Sequence, residues 1–426
     1  MFTKKPYLGC RNAAEFIVLF LLASSVLNPI KAQDHEHISY RNGRAGLHMF
    51  NGAISEKDLN NLLDRSVTHA GLCDVINETT ETFADDLRML KNLDVRFVGR
   101  TAFAWSTAKN DEAHFRRVKV SAAKVHAELP NVVLQACIFE IIQPKLNRIK
   151  IPDWVFKEFG LPVVKRNFNY EAMLYDGGHR VNHWRNGSVP DMSKLETRMW
   201  FYYRARSYID CGMEAIHFGQ VLLMDDADPD YKHWHDMLTR VRNYARKNAR
   251  RQLVLCDAHC FGPKHGDKLL FDFHSFPIRA KEIKGQPLKG KLSFGHGRIY
   301  GRSAGGIAPS GWKTKSLPYI VEFDNWGYSG RGGEAVGGIF IWGYDDSSWF
   351  AEMDGTYREK FLEYAIRWLK SKDPSGHLQI PTRRRIPHKK KPGGGVEMFR
   401  ANTRSQANPN GSGVEETIKR VWKKTL

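Results

Sequence analysis

The chain has 426 residues, of which 42% are hydrophobic, 26% charged and 12% aromatic. That composition excludes a collagenous, wholly disordered or multispan membrane protein. The net charge of +19 is uneven, with +9 in residues 381–426, +3 in residues 1–32 and +7 in all the rest, so no nucleic-acid-binding face is indicated on the body.

Residues 1–32 read as a secretory signal. Lys4, Lys5 and Arg11 precede an apolar run from Phe16 to Leu27, and Ala32 is a small residue suited to cleavage. The run is about a dozen residues, against the ~20 needed to span a bilayer, so the expected location is secreted or periplasmic. Cleavage leaves Cys73, Cys137, Cys211, Cys256 and Cys260, too odd and sparse a set for a disulfide framework.

Eight short runs rich in β-branched and aromatic residues begin near Gly46, Val95, Val132, Ala215, Leu253, Leu269, Tyr319 and Gly337. Helical stripes separate several of them: Phe83, Leu87 and Leu90; Phe115 to Leu129; Trp234 to Val241; and, after the last run, Phe361 to Leu369. Alternation of this kind implies a parallel sheet, and eight units imply an α/β fold of the (β/α)₈ TIM-like barrel type over residues 33–375. The stretches 143–195 and 281–317 are long loop insertions. No helical pattern separates the fifth run from the sixth or the seventh from the eighth, so an open α/β sheet is the alternative.

Residues 376–426 read as a flexible basic tail. They hold Arg383-Arg384-Arg385, Lys389-Lys390-Lys391 and a Gly/Asn/Ser run, with few apolar side chains to offset ordering entropy. Val414, Ile418, Val421 and Trp422 fall at helical spacing and could form a short amphipathic helix against an anionic cell surface.

In a barrel of this kind the reactive groups gather at the C-terminal ends of the strands. The second run ends at Arg100, the third at Glu140 and the fourth at Gln220. The fifth ends in Asp257-Ala258-His259, the sixth in Asp272-Phe273-His274 and the seventh in Glu322-Phe323-Asp324. Side chains alternate along a strand, so each acid-x-polar step places two polar groups on one face. Glu214 precedes its strand and is assigned to the opposite, stability face. Gly-rich stretches such as Gly327 to Gly338 lack the spacing of a phosphate loop, and no cofactor is implied.

The pattern resembles the glycoside hydrolases built on (β/α)₈ barrels, at the level of architecture over roughly residues 43–370. The residues that carry the likeness are Glu322, Trp342 at the end of the eighth run, and aromatics throughout the loops. The resemblance implies a carbohydrate substrate and two carboxyl groups flanking a glycosidic bond. Glu322 is then the nucleophile or base and Glu140 the general acid. Arg100 would keep one of them ionised. Gln220, Asp257, His259, Asp272, His274 and Asp324 would bind sugar hydroxyls. Trp326 and Trp342 would wall the pocket, with Trp184, Trp312 and Trp349 as further stacking candidates. In the large clan of retaining enzymes an Asn-Glu pair ends the fourth strand, and here that place reads Gly219-Gln220. Glutamine cannot donate and recover a proton, so the acid falls to Glu140 or to an Asp of the fifth or sixth strand, or the barrel has lost hydrolysis and only binds glycans.

A second resemblance, to the amidohydrolase barrels, rests on His48, His217, His259, His274 and Asp345. It implies a metal-dependent hydrolase. The first-strand His-x-His of that family reads here His48-Met49-Phe50.

Overall fold

The computed structural model describes residues 48–74, 79–294, 302–390 and 396–426. The signal-like segment 1–32 and the run beginning at Gly46 fall largely outside them. Eight strands form the core: β1 (Ser66–His69), β2 (Phe97–Phe103), β3 (Val133–Cys137), β4 (Ala215–His217), β5 (Leu255–Asp257), β6 (His274–Pro277), β7 (Tyr319–Glu322) and β8 (Gly376–Lys390). Their order is β5-β4-β3-β2-β1-β8-β7-β6, and every neighbouring pair is parallel. A parallel bridge from His259 to Ser275 brings β5 and β6 together. The backbone bonds Ser275 N–H to Ala258 O (3.0 Å) and Asp272 N–H to Cys256 O (2.8 Å) accompany it. The fold is a nearly closed (β/α)₈ barrel, as the alternation of runs and stripes implies.

Helix α1 (Glu56–Asp64) precedes β1, and α2 (Thr80–Asn92) and α3 (Asp111–Glu128) follow β1 and β2. Their apolar stripes, such as Leu87, Met89 and Leu90, bury against the sheet because a 3.6-residue repeat puts them on one side. The insertion between β3 and β4 contains the short α4 (Asp153–Glu158) and then α5 (Leu195–Asp210). Helix α6 (Lys232–Asn248) follows β4. No helix among the described residues separates β5 from β6 or β6 from β7. Two-residue strand pairs and loops fill those connections. Helices α7 (Asp346–Glu352) and α8 (Gly355–Lys372) lie between β7 and β8.

Three sequence expectations are corrected here. The first strand is Ser66–His69, not the run near Gly46, and the sixth is His274–Pro277, not Leu269–Phe271. The eighth strand is Gly376–Lys390, inside the segment expected to be a loose basic tail. The run from Gly337 to Trp342 is loop and turn. The chain then pairs β8 with an antiparallel β9 (Val396–Arg400) and ends in α9 (Val414–Thr425). Val414, Ile418, Val421 and Trp422 of α9 are buried. Helical spacing is correct for these four, but they face this protein's own core.

Candidate active site at the C-terminal rim

The barrel interior is polar just below its C-terminal mouth. The Asp257 carboxylate of β5 accepts from Gln135 Nε2 (2.7 Å), lies 2.7 Å from His217 Nδ1 and accepts from Ser275 Oγ. The Gln379 side chain of β8 accepts from Thr68 Oγ1 at 2.8 Å. Gly99 of β2 makes room for this layer, since a Cβ there would fall 2.7 Å from Gln379 Nε2. The Asp257 carboxylate persists at this depth because three side chains meet it, while Gln379 pairs its Oε1 and leaves its Nε2 without a partner.

Above this layer, β2 loses its regular register with β3 between Val98 and Ala102. Arg100 sits there with φ at 60°, a left-handed conformation uncommon outside glycine. An irregularity of this kind re-aims a side chain. The Arg100 guanidinium grips Glu322 at the end of β7, with Nε on Oε2 at 2.8 Å and Nη2 on Oε1. His259 Nε2 lies 2.6 Å from the same Oε1. Burial alone would raise the Glu322 carboxyl, but Arg100 and His259 outweigh it and hold it well below the usual carboxylate range. Burial would lower His259, and the bond to Glu322 reverses the sign and raises it. The pair is a buried, charge-assisted network.

Glu140 occupies the same rim. It is buried just past the end of β3, and its two oxygens accept from the backbone N–H and the Nε2 of Gln220, each at 2.9 Å. Gly219, one residue before, accepts from the His259 backbone N–H at 2.8 Å. Glu140, Gly219-Gln220, His259 and Glu322 therefore form one connected chain across the mouth. Asp324 lies two residues beyond Glu322, with Oδ1 3.6 Å from Arg100 and 3.7 Å from Arg384. Burial and Glu322 both push its carboxyl up, while Arg100, His259 and Arg279 bring it below the ordinary value. Trp326 stacks under Arg279, whose Cζ is 3.6 Å from the ring centroid. Trp105, 51% exposed, tilts against Phe139 at 4.9 Å, and Arg100 lies over that Phe139 ring.

The rim thus gathers Glu322, Glu140, Arg100, Gln220, His259, Asp324 and Trp326, all expected from sequence. Asp257 lies a layer below, with its carboxylate given to protein donors. Asp272 and His274 stand at the opposite end, because β6 begins at His274 and does not end there. Asp272 accepts from Arg242 Nη2 (2.9 Å) and the Cys256 N–H (2.9 Å). Burial drives His274 down to about 3, so it is a neutral core imidazole facing Ser303. Trp342 lies in the loop after β7 and spends its indole N–H on Lys289 O (2.8 Å). Trp349 is inside α7 and donates to Leu288 O (2.7 Å), while Trp312 donates to Ile54 O (2.9 Å). Trp184 packs against the core within the insertion before β4.

Of the residues of the amidohydrolase resemblance, His217 and His259 are neighbours, with ring centroids 4.8 Å apart, but the other three do not join them. His48 bonds through its backbone to Asn131, ahead of β3, His274 opens β6, and Asp345 is the N-cap of α7. Among the described residues no group of three His, Cys, Asp or Glu side chains is disposed to hold a metal ion. Sequence reading missed Arg279 and Arg384, which belong to the two misplaced strand ends, and the Trp105–Phe139 pair. An exposed Trp two residues past β2 was the available signal.

No family model matches the sequence, and no curated protein matches it. Several solved structures are similar. The isomalto-dextranase of Arthrobacter globiformis T6, complexed with panose, is 9% identical over 90% of this chain and 59% of its own, with a TM-score of 0.42. Amy13B of Eubacterium rectale is 8% identical over 87% of this chain and 82% of its own, at 0.44. The α-galactosidase of Thermus thermophilus is 14% identical over 54% of this chain and 47% of its own, at 0.32. The chain spans about half to three-fifths of the first and last of these three proteins. At such scores the likenesses carry no inference about chemistry.

Proposed function

We propose that this barrel is a glycoside hydrolase acting on an oligo- or polysaccharide by a two-carboxylate mechanism. The observation that carries the reading is the Glu322 carboxylate, held ionised at the end of β7 by Arg100 and His259 and joined through Gly219-Gln220 to a second carboxyl, Glu140. Glu140 gives a proton to the glycosidic oxygen, and Glu322 meets the anomeric carbon directly or through a water molecule. Arg100 and His259 make Glu322 a weak base, which suits the direct route, where the carboxylate must later leave, over the route in which it takes a proton from water. Hydrolysis of aryl glycosides and oligosaccharides by the wild type, Glu322→Gln and Glu140→Gln tests this. Each variant is expected to lose about 10²–10⁴-fold in kcat, the range typical of positioned acid–base groups. Wild-type turnover in Glu322→Gln removes the assignment.

A glycan-binding barrel without hydrolysis is the second reading. It is favoured by one observation: both oxygens of Glu322 and of Glu140 are already met by protein donors. Retained binding of the same sugars with no cleavage by the wild type selects it.

A further inference from the structure

We propose that the rim carries an anion subsite, centred on Arg279, that selects saccharides bearing a carboxylate, the uronic acids and their oligomers. The inference rests on the reading of this face as a saccharide site, whether or not cleavage follows.

Three buried polar atoms around Arg279 have no hydrogen-bond partner: Arg279 Nη1, Trp326 Nε1 and Asp346 Oδ1. Orphaned groups of this kind are rare in folded proteins and call for an explanation. Such atoms occur elsewhere in this structure too, Trp184 Nε1, Trp234 Nε1 and Trp422 Nε1 among them, but these three sit together. Arg279 stacks on Trp326, and its Nη1 lies 3.9 Å from the other oxygen of Asp346. Asp346 is fully buried at the start of α7 and takes only a long bond, 3.3 Å, from the Asp324 N–H. Arg279 itself is reachable, with 21% of its side chain exposed. Its backbone φ of 40° is in the left-handed region, a strained conformation for a side-chain-bearing residue of the kind that collects at ligand sites.

The charges agree in sign. Burial raises the Asp346 carboxyl well above its ordinary value against the pull of Arg279, so negative charge is disfavoured on it. The carboxyls of the mouth, Glu322, Asp324 and Glu140, share it with Arg100, Arg384, Arg279 and a His259 biased toward its charged form. The ion-pair contact of Arg279, to Asp346, is long at 3.9 Å, whereas Glu322 and Glu140 are held by bonds of 2.9 Å or less. Two unpartnered donors, from a guanidinium and an indole, suit the acceptor-only oxygens of a carboxylate. The stack on Trp326 holds the guanidinium plane in advance, which lowers the ordering cost of binding.

Isothermal titration of the full chain with trigalacturonate and with mannuronate trimers, against galactotriose, cellotriose and maltotriose, tests the proposal. A uronate trimer is expected to bind about tenfold or more tightly than the neutral trimer of the same length, as a charge-assisted contact requires. In Arg279→Gln the ratio falls to about one, and in Arg279→Lys part of it survives. Unfolding midpoints of both variants are read alongside. Equal affinity for acidic and neutral trimers in the wild type overturns the subsite, even if both are cleaved and hydrolysis stands. A preference that persists in a folded Arg279→Gln does the same, as do sulfated galactose oligomers binding ahead of the uronates. Uronate preference without cleavage keeps the subsite and defeats hydrolysis. Binding of neither class overturns both.

Discussion

At Gly219 one methyl group decides whether the rim carboxylates can sit as they do. Its φ is 63°, and a Cβ there would overlap Glu140 Oε2. The left-handed conformation costs an L-residue about 1–2 kcal/mol, and relieving the overlap must push Glu140 away from Gln220. Gly219→Ala is therefore expected to lower the unfolding free energy by at least that amount. It should also reduce kcat by about a hundredfold, the penalty for a misplacement of about an ångström. Thermal unfolding and steady-state rates measured on the same preparation separate the two effects. A stable variant with wild-type turnover takes Glu140 out of the mechanism. Glu322 was legible because an acid ends a β-branched run and a second acid follows at period two. The partners that fix its charge were only half legible. Arg100 ends a visible run, but nothing in the sequence predicts that it bonds Glu322 on both oxygens.

Elements hide when the residues that would reveal them serve the rim. Strand β8 carries three consecutive arginines, and charge density made it look like a tail. Two of the three are buried: Arg384 bonds Ser347 Oγ (3.0 Å) and Phe323 O (3.0 Å), and Arg383 bonds Ala70 O. Helix α5 hides for the opposite reason. Trp200, Phe201, Tyr202 and Tyr203 are apolar on every face because Trp154 and Phe168 of the insertion cover its outer side, so no stripe appears. Helix α9 was visible as a stripe, but its destination was not. Glu415, in its first turn, accepts from Arg88 at 2.7 and 2.8 Å and from Asn92 at 2.6 Å, both on α2. Burial would raise the Glu415 carboxyl, yet these donors and the Thr403 N–H bring it down to about 2 from an ordinary 4.5. A depressed carboxylate contributes stability that is present above its unfolded value and is lost as pH falls through its folded one. Docking of α9 is expected to weaken as pH falls from 4.5 toward 2. Protection factors of the amides of residues 414–425, exchange rates taken relative to the intrinsic rate at each pH, should fall across that window. The dependence should flatten in Glu415→Gln, and an equally steep profile in that variant would place the titrating group elsewhere.

At the scale of the molecule, the barrel is not equally secure around its circumference. From β5 through β4, β3, β2, β1, β8 and β7 to β6 the strands pair in continuous ladders, but β6 meets β5 through a single bridge. No helix among the described residues lies between β5 and β6 or between β6 and β7, and Arg242 and Trp234 of α6 reach the segment that leads into β6 instead. The seam nevertheless carries His259, and Glu322 stands one strand away on β7. Their contact depends on the seam staying closed. Asp257 is placed to hold it, since its carboxylate takes Ser275 Oγ from β6 together with His217 and Gln135 from β4 and β3. Removing a buried carboxylate leaves each of those donors without its acceptor, a loss of about 3–5 kcal/mol where charge is involved. Asp257→Ala is expected to show that loss in denaturant unfolding. It should speed hydrogen exchange at the Asp272 and Ser275 amides, which bond across the seam, more than at amides between β1 and β2. Activity should fall with it, because an open seam carries His259 away from Glu322. Equal acceleration of exchange around the whole barrel, or a loss below about 1 kcal/mol, would mean that the ring is closed by packing alone and that the polar layer beneath the rim does not govern the geometry of the acids above it.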